Sequence, residues 1–64
     1  EIMAENMKTY FVEFHLNYGD GHINTVVKTS ETLSYEEIES NARRRLAMAV
    51  SVDCIGTCTR LEQQ

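Results

Sequence analysis

Cys54, Cys58, His15 and His22 are the residues with the most chemistry to offer, because together they would make a Cys2His2 zinc set. Zinc needs four ligands around one point, usually supplied in closely spaced pairs from turns. The two cysteines here lie inside an expected strand, where four positions span roughly 13 Å. That separation is too great for one ion or for a disulfide between them. The histidines, seven positions apart, match no common zinc spacing either. The expectation is no metal and no cofactor. Cys54 or Cys58 beside His15 would pair a nucleophile with a base, and Glu13 with Glu62 would pair two acids. Either pair needs a recess, and 64 residues with one helix leave little material to build one. The chain is therefore read as non-catalytic.

Arg43, Arg44 and Arg45 form the one basic cluster. Successive helical residues point about 100° apart, so these three do not make one stripe. Arg43 is expected to pair with Glu39 one turn earlier. Arg44 is expected to face solvent, and Arg45 to lay its stem beside the apolar face. Nucleic-acid binding through this cluster is the alternative functional reading. It is disfavoured by the balance of 6 basic and 10 acidic residues, a net charge of −4.

The elements that position these residues are readable in order. From Lys8 to Tyr18 the residues Tyr10, Val12, Phe14, Leu16 and Tyr18 alternate with Thr9, Glu13, His15 and Asn17. Period two with aromatic and β-branched content predicts a strand. Asp20-Gly21 predicts a tight two-residue turn into a second strand, His22 to about Ser30. That turn sets Phe14 opposite Val27, Leu16 opposite Thr25, Tyr18 opposite Ile23, and Glu13 opposite Lys28.

Ser34-Tyr35-Glu36-Glu37 fits a capping box, with Leu33 and Ile38 spaced for a hydrophobic staple. The helix is expected from Tyr35 to about Ser51, its stripe made by Tyr35, Ile38, Ala42, Leu46, Ala49 and Val50. Cys54 to Glu62 is expected as a third strand, with Ile55, Thr57, Thr59 and Leu61 on one face. The fold class is α+β: ββαβ, an antiparallel sheet of order 2-1-3 with one helix on one face.

One helix covers one side of a sheet. The uncovered side would carry Phe11, Glu13, His15, Asn17, Asn24, Val26 and Lys28. Phe11 and Val26 are apolar with no evident internal partner, which marks a contact surface. Strands two and three are open edges able to accept a pairing strand. Phe11, His15 and Val26, with Arg44 as a polar contact, are the candidate partner-binding residues. The occupant would be another protein or a second copy of the chain.

The layout resembles that of small phage-encoded host-takeover and anti-defence inhibitors, such as those acting on host RNA polymerase. The resemblance covers Lys8 to Leu61. It is carried by Glu31-Thr32-Leu33 leading into an acidic helix start, then Thr59-Arg60-Leu61. It implies a compact binder that occupies a surface on a larger host protein. No functional residue is carried over.

Composition sets the outer limits. At 42% hydrophobic and 25% charged residues the chain is globular and a single domain. Its longest apolar run, Leu46–Val50, is far short of the ~20 residues a membrane span needs. With only two cysteines and no basic-then-apolar leader, a cytoplasmic location is expected. Residues 1–7 are expected to be a tail and 8–62 the domain, with Met3 and Met7 as candidate starts. Setting aside Glu1 and Glu5 leaves eight acidic against six basic residues.

Overall fold

The computed structural model describes residues 7–64. The expected tail therefore lies, except for Met7, outside the described residues. Strand β1 is Lys8–Leu16, β2 is His22–Thr29, helix α1 is Tyr35–Leu46, and β3 is Ile55–Gln63. A 3-10 turn at Val52–Cys54 precedes β3. The sheet order is β2-β1-β3, and both outer strands run antiparallel to β1. The expected ββαβ architecture is the one that forms, with the most apolar strand at the centre.

The hairpin register differs from the expected one by four residues. Phe14 lies opposite Ile23, and Tyr10 opposite Val27. Glu13 consequently faces Asn24 and Lys28 faces Thr9, so the expected Glu13–Lys28 pair does not form. The shift is even, so each side chain keeps its face. The turn explains the change. A two-residue turn at Asp20-Gly21 would need φ > 0 at both. The chain instead puts only Gly19 there, at φ +62, and loops from Asn17 to Asp20. Leu16 N donates to Gly21 O at 2.9 Å to close that loop. Tyr18, expected in the strand, is 68% exposed at the tip.

The helix begins as its local sequence dictates. Ser34 Oγ accepts from Glu37 N at 3.2 Å, and Glu37 Oε1 accepts from Ser34 N at 2.8 Å. Ile38, Ala42 and Leu46 form its buried stripe. Tyr35, expected in that stripe, is 70% exposed: it sits at the first helical position, before the helix has reached the sheet. The helix stops at Leu46, short of the expected Ser51. Ala49 N and Val50 N both donate to Leu46 O, winding the chain off in a final turn. Val50 folds back against the core. Ser51 then accepts from Asp53 N to start the 3-10 turn, which aims the chain at β3. The connection needs those residues, so the alanine-rich run cannot all be helix.

β3 departs most from simple alternation. It pairs Leu61 with Val12, Cys58 with Phe14, and Ile55 with Leu16, with register shifts between these pairs. Each shift is a bulge that inserts one residue and rotates the strand. Ile55 is buried, and Cys58 and Leu61 pack against the core, three positions apart rather than two. Thr57 and Thr59, expected to share the face of Ile55 and Leu61, are exposed. Gly56 fits one bulge because a Cβ there would lie 2.6 Å from His15 O.

The core is Tyr10, Val12, Phe14, Val27, Ile38, Ala42, Leu46 and Ile55. Val12, Phe14, Ile38 and Ala42 are fully buried. Ala42, small and between Ile38 and Leu46, lets the helix backbone approach the sheet. A domain of this size is worth about 3–10 kcal/mol in total. Each large core side chain contributes ~2–5 kcal/mol against truncation, so none is spare.

Candidate interaction surface

The uncovered sheet face takes its residues from alternate positions of three strands. Phe11 lies between Val26 on β2 and Glu62 on β3; Glu13 lies between Asn24 and Arg60. Phe11 and Val26, expected only to share this face, are thus direct cross-strand neighbours. Phe11 is only half-buried, and the Arg60 guanidinium stands 5.2 Å from its ring centre. Arg60 also holds Glu62 at 2.8 Å. That hydrogen bond keeps the Glu62 carboxyl below its ordinary value. Phe11 therefore has partners that the sequence did not reveal. Cation–π contact of this kind contributes about 0.5–1 kcal/mol at an exposed site. His15 meets His22 edge-on at 5.4 Å, at the hairpin end of the same face.

Arg44 is elsewhere. It is on α1, across the sheet from Phe11, His15 and Val26, and it donates to Asn41 Oδ1. The arginine cluster is also divided. Arg43 reaches toward β3, 4.7 Å from the Phe14 ring centre, and donates to Ile55 O at 3.3 Å. The expected ion pair with Glu39 is replaced by these contacts: among the described residues the one ion pair is Arg60–Glu62. Arg44 and Arg45 lie on the β2 side of the helix. There they line an open groove of about 550 Å³ with Asn41, Met48, Leu33 and the end of β2.

The two sheet edges are built differently. Leu16 bonds toward Gly21, so alternation along the ladder turns the backbone groups of Asn24, Val26 and Lys28 outward. β2 pairs with β1 over eight consecutive positions without a bulge. β3 is bulged twice, and Thr59 Oγ1 donates to Glu13 O at 3.2 Å within the irregular stretch. Bulged edges resist pairing with another strand, and regular ones invite it.

The groups considered for catalysis do not converge. His15 and His22 are on the uncovered face, and Cys58 is on the helix face opposite Phe14. Burial pushes the Cys58 thiol above its ordinary value, the opposite of what a nucleophile needs. Glu13 and Glu62 share a face, with Arg60 hydrogen-bonded to Glu62. Among the described residues no three His, Cys, Asp or Glu side chains form a metal-sized cluster. No helix of the described residues is long and apolar enough to cross a membrane.

That β2 is an edge was readable, since the more apolar β1 takes the centre of the sheet, but that β2 is the regular edge and β3 the bulged one was not. The groove was not, because Arg45 and Met48 meet β2 only through the tertiary fold. No family model, curated protein or solved structure matches the chain.

Proposed function

We propose that this is a small non-catalytic protein-binding module that takes an extended segment of its partner onto the β2 edge. The observation that carries the reading is that edge: eight regular positions, with the backbone of Asn24, Val26 and Lys28 directed outward. Main-chain hydrogen bonds there would supply affinity, and neighbouring side chains selectivity. Phe11, Val26 and His15 on the adjoining face would contribute the apolar contact. In the manner of the takeover proteins it resembles in layout, the module would act in the cytoplasm by obstructing a surface of a larger protein.

Proline at position 26 tests this directly. The Val26 N–H points away from β1, so Val26→Pro removes a donor the fold does not use. The variant is expected to fold and to lose the partner that the wild-type chain captures from its native cells. Phe11→Asp is expected to weaken that capture less. Equal capture by folded Val26→Pro would reject the edge.

A further inference from the structure

The strand that pairs with β2 would not meet a bare edge. On the helix side, the groove runs beside it. Val27, Lys28 and Thr29 form one wall, and Asn41, Arg44, Arg45 and Met48 form the other. Two cations, Arg44 and Arg45, line it against one carboxylate, Glu31, on a chain whose net charge is −4, while Lys28 sends its side chain to the uncovered face. The only ion pair among the described residues is Arg60–Glu62, on the other face, so Arg44 and Arg45 keep their charge available. Asn41 holds the Arg44 guanidinium through a hydrogen bond, which limits its motion. Met48, 89% exposed, and the half-buried Leu33 add apolar surface along the same groove.

We infer that this groove selects an acidic side chain of the segment bound on β2, so the partner segment is extended, with a carboxylate beside an apolar residue two positions away. The inference rests on the edge reading above. A strand added to β2 would send alternate side chains to the helix side, spaced about 7 Å apart. The one nearest Thr29 and Arg44 would be a carboxylate, because arginine binds carboxylates with two parallel hydrogen bonds. Its neighbour two positions away would rest on Met48 or Leu33. A second copy of this chain fits poorly. Its own β2 would bring Ile23, Thr25, Val27 and Thr29 to the helix side, with no acid among them.

Selection of displayed random ten-residue peptides on the full chain reads out this chemistry. Wild type is expected to enrich peptides with Asp or Glu two positions from an apolar residue. Those peptides are expected to bind at least tenfold more weakly to Arg44→Glu/Arg45→Glu, and to lose binding to Val26→Pro. Asn24→Pro provides a second outward position should Val26→Pro melt early. Binders with no acidic preference, indifferent to the arginine reversal, would overturn the groove inference and leave the edge reading standing. Absence of any binder sensitive to either proline would remove both. Two further results would overturn the inference. One is a single-stranded oligonucleotide that binds wild type and is lost with the arginine reversal. The other is a concentration-dependent dimer that Val26→Pro dissolves.

Discussion

The two edges of this sheet bound the same central strand and have opposite characters. β2 runs straight beside β1 for its full length and leaves an ordered row of backbone groups outside. β3 slips register twice, and it needs Gly56 because the His15 carbonyl passes so close. A small sheet with two regular edges would pair with whatever strand it met. Here irregularity protects one side, and the other stays usable. The contrast locates docking at β2 more firmly than the exposure of any one residue does.

Substitutions at the two edges should separate these roles. Val27→Pro is the largest expected effect. Val27 faces β1 and is buried, so proline removes a ladder bond and disturbs the core, costing about 3 kcal/mol or more. Loss of the cooperative urea transition would show it. One residue earlier, Val26→Pro should retain that transition, and an equal collapse of both variants would break the inward–outward assignment of β2.

Gly56→Ala comes next. Its methyl would lie 2.6 Å from the His15 carbonyl and 2.9 Å from Asn17 Oδ1, and the His15 group is backbone that cannot swing aside. A destabilisation of about 1–3 kcal/mol is expected in urea melts. A neutral result would mean the β3 bulge is looser than described. Thr59→Val should cost about 1 kcal/mol, by removing the hydroxyl bond to Glu13 O.

The smallest effect is electrostatic. Arg60 lowers the Glu62 carboxyl in the folded chain, so the folded state holds its proton less tightly than the unfolded state. The pair's contribution is thus fully present above the unfolded carboxylate value. It fades as pH falls through the lower folded value. Both side chains are about half exposed, so salt and solvent keep it slight. Urea midpoints of wild type and Glu62→Gln should differ a little at pH 7 and converge at pH 2–3.

What the sequence disclosed followed from range. The Ser34–Glu37 capping box closes within four residues and was fully legible. The faces of β1 and β2 were legible because parity survives an even register shift, although the register itself was not. Gly19 and Gly21 both offer a turn, and the choice depends on closing Leu16 onto Gly21. Helix length was misjudged because Ala47 and Ala49 suit a helix, while the path to β3 takes Val50 away. Phe11 and Val26 were placed on the correct face, but Arg60 reaches Phe11 only once β3 is docked. Arg44 was read as one contact with them, and the sheet lies between. The Ile55, Cys58, Leu61 spacing of three reads as neither strand nor helix, and only the bulges make sense of it.

The central strand comes first in the chain and its second neighbour comes last. Tyr10 pairs with Val27 through a local hairpin, but with Gln63 only after more than fifty residues intervene. Closing so long a loop delays β3, since its entropy must be met before any contact repays it. Asn17 is the residue that registers this arrival, because its amide side chain donates to Asp53 O at 2.7 Å and its N–H to Cys54 O at 2.9 Å. Until those bonds form, β1 has a bare side, and the nascent hairpin is the stage at which the chain is most open to capture by another strand.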